Sequence, residues 1–308
     1  MTEDTEKIAV LIPCFNEETT IGDVISSFQS SLPNAKIYVC NNNSTDNTKH
    51  IALKHGAIVL DEPKKGKAFA VEKLFRCVEA DFFVLTDGDS TYDATISRAA
   101  IEKCKKLNVD MLIGVRNSVI GQKTYRPGHQ FGNWVFTIIL RLFFSGNLRD
   151  VLSGYRIFSR SFVKSMPILS KGFDIEVEMT IYALSLNLTV GEFETKYIER
   201  PKGSFSKLNT FKDGFQILKT IFRLLNDYKP LWVFSGFTAI LLILGFYLFI
   251  PIFKQFMHTG LVERLPTAIL SLGFIILATI SFFSGLILDG ITRQRLEAKK
   301  IALLQHKK

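Results

Sequence analysis

Residues 230–253 carry no charged side chain, and neither do residues 265–288. Each run is 24 residues long, and only the 11 residues 254–264 separate them. A bilayer core takes about 20 apolar residues in helical form. Within lipid every backbone N–H and C=O must be paired inside its own segment, so a single spanning stretch has to be an α-helix. Two such stretches joined by a short polar link predict a helical hairpin in a membrane; a pair of buried core helices is the alternative. Hydrophobic residues make up 47% of the 308-residue chain and the mean hydropathy is +0.19, with the excess concentrated in this C-terminal part.

The basic residues predict an orientation. Arg293, Arg295, Lys299, Lys300, Lys307 and Lys308 follow the second run; Lys212, Lys219, Arg223 and Lys229 precede the first. The link holds only Lys254 and Arg264, opposed by Glu263. By the excess of Lys and Arg on the cytoplasmic side, both termini are expected in the cytoplasm, with the basic flanks against anionic headgroups. The net charge of +9 is thereby explained without nucleic acid, whose binding calls for a basic stripe interleaved with aromatics. Residues 1–7 are charged and lack the apolar centre of a secretory signal, so no cleaved leader is expected. Cys14, Cys40, Cys77 and Cys104 show no C-x-x-C spacing; they read as small buried apolar residues in a reducing compartment, not disulfides or zinc ligands.

The first two thirds of the chain alternate between two periodicities. Ile8-Ala9-Val10-Leu11-Ile12 is an uninterrupted apolar run of the kind buried on both faces of a parallel sheet. A helix with Ile21, Val24, Ile25 and Phe28 on one face follows. Further strands are expected at 36–40, 57–60, 81–86 and 111–115, with a helix at 67–78 and Asp46 capping the helix after the Asn41-Asn42-Asn43-Ser44-Thr45-Asp46 turn. Strands alternating with helices predict an α/β, doubly wound, mostly parallel sheet, whose ligands bind beyond the carboxyl ends of its strands. Asn16, Asn41 and Asp87 all fall there. Two more segments have interfacial character, 131–144 and the amphipathic 210–227, although core packing accounts for either.

Asp87-Gly88-Asp89 directly follows an apolar strand. Two carboxylates so placed suit a divalent cation, and Mg²⁺ is commonly held by one or two carboxylates together with substrate phosphates. Such a cation acts as a Lewis acid on a diphosphate leaving group. Lys64-Lys65-Gly66-Lys67 reads either as a diphosphate contact or as a solvated face. Neither G-x-x-x-x-G-K-[ST] nor G-x-G-x-x-G is present, which removes the P-loop and dinucleotide signatures. Downstream, residues 150–156 and 200–208 bring Arg and Lys next to Ser and Gly, a composition suited to phosphate oxygens, and the acidic 172–178 lies between them. Asp174, Glu176 and Glu178 would orient those cations or bind sugar hydroxyls, or form a solvated helix start.

The ordered series Ile12 to Glu18, Asn42 to Asp46, Lys65 to Ala68, Asp87 to Asp89, Asp150 to Arg156, Phe173 to Glu178 and Arg200 to Leu208 resembles the GT-A glycosyltransferases of family 2. Within them it is most similar to the polyprenyl-phosphate branch, the dolichol-phosphate mannose synthases and bacterial undecaprenyl-phosphate sugar transferases. The resemblance implies a GT-A, Rossmann-like domain over 1–209, a juxtamembrane amphipathic helix over 210–229, a transmembrane hairpin over 230–290 and a basic cytoplasmic tail over 291–308. It implies that Pro13, Phe15, Glu17 and Asn41 hold base and ribose, with Lys65 near the nucleotide. Asp87, Gly88 and Asp89 would meet the diphosphate, with Asp87 and Asp89 binding Mg²⁺ or Mn²⁺. Arg200 and Lys207 would engage the donor phosphates, and Arg116, Arg126 and Ser206 the acceptor phosphate. The family usually has Asp at the position of Asn41. Asn accepts through its carbonyl but carries no charge, which leaves the choice between UDP and GDP open.

The implied reaction moves one hexose from a nucleotide-diphosphate sugar to a polyprenyl phosphate at the cytoplasmic membrane face, with inversion. A phosphate monoester, with a second pKa near 6, is already anionic at pH 7, so this acceptor needs cationic positioning in place of a general base. Other family 2 acceptors, such as a glycan or lipid hydroxyl, and a non-catalytic membrane scaffold are the alternatives. The hairpin also offers apolar surface for self-association.

Overall fold

The computed structural model describes residues 6–118, 138, 141–144, 148–170, 175–198, 219 and 222–306. The chain forms two compact units, residues 1–218 with 299–308 and residues 219–298. The larger unit is built on a seven-stranded sheet.

Its strands are β1 (Ile8–Cys14), β2 (Lys36–Asn41), β3 (Ile58–Asp61), β4 (Phe82–Leu85), β5 (Met111–Ser118), β6 (Arg156–Ser159) and β7 (Val190–Tyr197). The helices that alternate with them are α1 (Ile21–Ser31), α2 (Thr48–Lys54), α3 (Lys67–Cys77), α4 (Ser97–Lys106), α5 (Arg160–Ser165) and α6 (Ile175–Ser185). The sheet order is β3-β2-β1-β4-β6-β5-β7. All neighbours are parallel except β6, which runs antiparallel to both β4 and β5. This is the doubly wound α/β architecture expected. The five expected strands are present; β6 and β7 are additions.

Burial explains the central strands. Val10, Leu11, Ile12, Phe83, Val84 and Leu85 are wholly buried, as strands covered on both faces must be. Val10, Ile12 and Cys14 share one core with Ile21, Val24, Ile25 and Phe28 of α1 and Ile101 of α4. Each fully buried side chain of this size contributes about 1.5–3 kcal/mol. On the opposite face an aromatic run ties α3, β6, α5 and α6 together. Phe75 meets Phe158 at 5.6 Å, Phe158 stacks on Phe162 at 4.8 Å, and Phe162 meets Tyr182 edge-on at 5.5 Å. Cys14, Cys40 and Cys104 are buried, and burial foremost pushes the Cys40 thiol up to about 12 and the Cys104 thiol to about 11. Cys77 departs from expectation and is exposed: it ends α3 on the solvent side, while Leu74, Phe75 and Val78 point inward.

The winding locates the crevice. From β1 the chain moves outward to β2 and β3, then returns to β4 on the other side of β1. The connections after β1 and β4 therefore diverge at adjacent carboxyl ends, which is where such sheets bind ligands.

The smaller unit holds α7 (Pro230–Thr259) and most of α8 (Leu265–Gln305), both long and apolar enough to cross a membrane. Their mutual contact is lined by small residues. Ser271 Oγ donates to the Gly245 carbonyl at 2.9 Å, Ser281 Oγ to the Phe234 carbonyl at 3.3 Å, and a Cβ on Gly285 would lie 2.5 Å from that of Phe234. Small residues with hydroxyl-to-carbonyl bonds are the means by which helices associate where no water drives burial.

Candidate active site

Three strand ends are stitched together on one side of the crevice. Asn16 follows β1 with φ 53°, a left-handed conformation that Asn tolerates better than most residues. Its Oδ1 accepts the Thr45 N–H at 2.8 Å, and its own N–H donates to Ser44 Oγ at 3.1 Å. The Glu17 N–H donates to Thr48 Oγ1 at 2.8 Å. Asp46 accepts the backbone N–H of Thr48 at 3.0 Å and that of Glu18 at 3.1 Å; the N-cap position of α2 is Asn47, not the expected Asp46, which instead ties the first residue of α2 to the β1 loop from one position earlier. Burial pushes the Asp46 carboxyl up, but hydrogen bonds from the Thr48 hydroxyl and from both backbone N–H groups outweigh this and hold it below the usual carboxylate range.

The residue that anchors the third strand end is Asn42. It is buried and donates to the Glu62 carbonyl at 3.2 Å and the Lys64 carbonyl at 2.6 Å, while accepting the Gly66 N–H at 2.8 Å. The loop carrying Lys64 and Lys65 is thus fixed to the end of β2. Lys65 Nζ sits 5.2 Å above the Phe15 ring, so two residues expected at the nucleotide are brought together. Asn41 donates to Asp61 Oδ1 at 2.9 Å.

On the other side the site is built from charge. Lys67, the first residue of α3, places Nζ 2.5 Å from Asp87 Oδ1 and 2.5 Å from Glu176 Oε1. Burial acts to lower the Lys67 pKa, but the two carboxylates reverse this and hold the ammonium well above the ordinary lysine range. Gly154 closes the far side of Asp87, since a Cβ there would lie 2.4 Å from Asp87 Oδ2. Gly88 is equally constrained. A Cβ on it would meet Cys14 Sγ at 2.7 Å, and its carbonyl accepts the Thr20 hydroxyl at 2.7 Å. Asp89 is buried at 4% exposure and accepts the Thr91 hydroxyl at 2.6 Å.

Arg116 and Asp150 form a bidentate pair, Nε to Oδ2 at 2.7 Å and Nη2 to Oδ1 at 2.8 Å, with the Arg116 guanidinium 5.4 Å from the Tyr197 ring centre. Arg156 is a wholly buried strut that donates to the Val151 and Ser153 carbonyls and to Thr180 Oγ1. Burial lowers its pKa to about 10, with Glu176 and Asp150 opposing the shift, so it stays charged at neutral pH. Tyr92 receives the Gly154 N–H at 3.0 Å, and burial foremost raises its phenol pKa.

Several roles differ from a reading of residue types alone. Lys67, taken as a diphosphate contact or a solvated cation, bridges two carboxylates. Glu176 and Glu178 are buried, which excludes a solvated helix start. Glu178 accepts the N–H groups of Leu169 and Ser170 at 3.0 and 2.9 Å and so holds the preceding loop. Arg126, Asp174, Arg200, Ser206 and Lys207, and most of 131–144 and 210–227, lie outside the described residues.

Among the described residues, no group of three or more His, Cys, Asp or Glu side chains is arranged to hold a metal. The donor set at Asp87 and Asp89 consists of hard carboxylate oxygens, one from each already engaged by Lys67 or Thr91. That set fits a cation completing its shell with substrate phosphates.

A model of the family described as glycosyl transferase family 2 matches residues 9–166. The chain belongs to glycosyl transferase family 2. Glycosyltransferase AglJ of Haloferax volcanii is 30% identical to this family 2 chain over 248 residues, covering 80% of it and 81% of AglJ. The dolichyl-phosphate hexose transferase of Haloferax volcanii is 26% identical over 222 residues, covering 72% and 95% of the two chains. The solved structure of glucosyl-3-phosphoglycerate synthase from Mycobacterium tuberculosis in complex with Mn²⁺ and UDP-glucose superposes with a TM-score of 0.57 at 18% identity, covering 72% of this chain and 78% of that one. At that identity the likeness is one of fold, and it places this transferase among the GT-A folds.

Proposed function

We propose that this chain transfers a single hexose from UDP- or GDP-sugar to a polyprenyl phosphate at the cytoplasmic face of a membrane, with inversion. The observation that carries the reading is the presence, on one family 2 chain, of an acidic crevice suited to a diphosphate and of two helices suited to a bilayer. The dolichyl-phosphate acceptor named for the Haloferax relative supports it. In this reading residues 1–209 are the catalytic domain, α7 and α8 span the membrane, and the basic flanks put both termini in the cytoplasm.

Pro13, Phe15, Glu17, Asn41 and Lys65 receive the nucleoside, and Lys67 and Gly154 hold Asp87 in one orientation facing the diphosphate. Asp87 and Asp89 would hold Mg²⁺ or Mn²⁺, which when bound would neutralise charge on the leaving nucleoside diphosphate. Arg116, oriented by Asp150, joins Arg126 and Ser206 in positioning the acceptor phosphate, while Arg200 and Lys207 meet the donor. An acceptor phosphate oxygen bonds to the anomeric carbon from the face opposite the leaving group. The bond from that carbon to the diphosphate oxygen breaks, and the nucleoside diphosphate departs with the electron pair. No proton has to be removed, because the acceptor enters as an anion.

The test is transfer by the full chain in detergent with UDP- and GDP-sugars, undecaprenyl phosphate and either Mg²⁺ or a chelator. A metal-dependent lipid-linked sugar, abolished by Asp89→Ala with the melting temperature preserved, is the expected result. Donor hydrolysis without a lipid product, or transfer to a hydroxyl acceptor alone, refutes the acceptor; full activity of Asp89→Ala refutes the metal role.

A further inference from the structure

We infer that the base of the donor nucleotide is read by Asn41 and Asp61 acting as one pair, with Asp61 supplying the charged acceptor. The inference rests on the nucleotide-sugar reading and adds Asp61 to it as a specificity-determining residue.

The pair stands at the right place in the sheet. Asn41 and Asp61 are the last residues of β2 and β3 and face each other in register. Strands lie about 4.8 Å apart, so with the order β3-β2-β1-β4 the pair is about 12 Å from the carboxyl end of β4. A diphosphate at Asp87 and Asp89 leaves the ribose over β1 and the base over the ends of β2 and β3.

The orientation of the pair is set from both sides. Asn41 Oδ1 accepts the Ser44 N–H at 3.2 Å, while Asn41 Nδ2 donates to Asp61 Oδ1 at 2.9 Å. A flipped amide would set its oxygen against the carboxylate and its N–H groups against the Ser44 N–H. Asp61 Oδ2 in turn accepts from Lys49 Nζ at 2.6 Å. Asp61 and Lys49 are each about half exposed, at 54% and 49%. An ion pair that exposed adds little to stability, so stability alone does not account for a carboxylate held by two donors at a ligand-binding edge. The hydrogen bond from Asn41 and then the ammonium of Lys49 hold the Asp61 carboxyl below its ordinary range.

The chemistry of the pair selects a class of base. Each carboxylate oxygen has two lone pairs, and an amide nitrogen has two N–H groups. Asn41 and Lys49 each occupy one carboxylate position, and Asn41 keeps one N–H to give. The edge therefore presents an anionic acceptor beside a neutral donor. Uracil and guanine match it with a ring N–H beside a carbonyl, and a hydrogen bond from that N–H to a carboxylate is charge-assisted. Cytosine and adenine carry no ring N–H on this edge. The neutrality of residue 41 follows from the same geometry: an Asp there would bring two carboxylates to hydrogen-bonding distance, where one is forced to take a proton or move away.

Binding of UDP, GDP and CDP to the full chain in detergent with Mn²⁺, measured by calorimetry, tests the pair. The wild type is expected to prefer UDP or GDP to CDP, and Asp61→Asn to shrink that preference by about tenfold, the scale of one charge-assisted hydrogen bond. Asn41→Asp should weaken the preferred nucleotide, and Asn41→Asp combined with Asp61→Asn should recover the wild-type preference within a fewfold. Melting temperatures confirm that each variant is folded. If Asp61→Asn leaves the ratios among the three nucleotides unchanged, the pair is only a fastening of the sheet edge and the inference fails. If the wild type binds none of them, the nucleotide-sugar reading itself fails and takes this inference with it.

Discussion

The two banks of the crevice are fastened by different means. Beside β1, β2 and β3 the loops are held mainly by neutral groups, with Asn16 on Thr45 and Asn42 on the 62–66 loop. Beside β4, β5 and β6 the fastenings are buried charges: Lys67 between Asp87 and Glu176, Arg116 on Asp150, and Arg156 on backbone carbonyls. Neutral hydrogen bonds hold a loop at modest cost, and the loss of one is local. A buried ion pair costs desolvation on both sides, so removing one partner strands the other. The charged bank should therefore be the brittle one, and it lies where the glycosidic bond is proposed to break.

The largest expected effect follows from removing the bridging cation. Lys67→Met leaves the buried Glu176 and the partly exposed Asp87 without their ammonium, at a cost of about 3 kcal/mol in stability. A carboxylate displaced by about 1 Å costs on the order of 100-fold in turnover. Denaturant unfolding and kcat/KM measure the two losses. Activity within threefold of wild type would show that the bridge does not position Asp87.

Gly154→Ala probes the same carboxylate sterically. The new Cβ would stand 2.4 Å from Asp87 Oδ2, closer than van der Waals contact permits, so Asp87 or the 150–156 loop must shift. Overpacking of this kind costs about 1–3 kcal/mol, and kcat should fall by about tenfold or more while the KM for the donor changes little. An unchanged kcat would mean that the loop yields and Asp87 does not.

On the neutral bank, Asn42→Ala removes three hydrogen bonds to the 62–66 loop. The expected cost is about 1–3 kcal/mol, with the donor KM rising severalfold and kcat nearly unchanged, because Lys65 loses its placement over Phe15. If kcat drops as far as in Lys67→Met, the contrast between the banks is wrong.

The same contrast explains which parts could be read from the sequence. β1 and β4 are central and buried on both faces, so they appear as uninterrupted apolar runs. The Asp87-Gly88-Asp89 turn is local, and its spacing is visible directly. β6 is a four-residue strand that opens with a buried Arg, and β7 alternates Glu194 and Lys196 with inward residues at the edge of the sheet. Neither has the pattern of a buried parallel strand. The bridge from Lys67 to Glu176 joins residues 109 apart, and no local period announces a partner at that distance. Glu176 follows the helical start of α6, where an acid reads equally well as solvated. Asn41 was legible as a residue at the carboxyl end of a strand, but Asp61, 20 residues later, becomes its partner only when β2 and β3 pair in register.

The smallest expected effect concerns Asp46, a carboxylate on the bank held mainly by neutral groups. Its hydrogen bonds with Thr48 and Glu18 hold the folded pKa below the ordinary value of 3.8. A carboxyl depressed on folding contributes stability above its unfolded pKa and loses it as the pH falls through the folded one. Asp46→Asn should therefore melt below wild type at pH 6, and the gap should close as the pH drops past 3.8. A melting-temperature series from pH 6 to the acid limit of the fold measures this. A gap that stays constant with pH would mean that Asp46 acts through the shape of its hydrogen bonds alone, and that the neutral bank owes nothing to charge at this position.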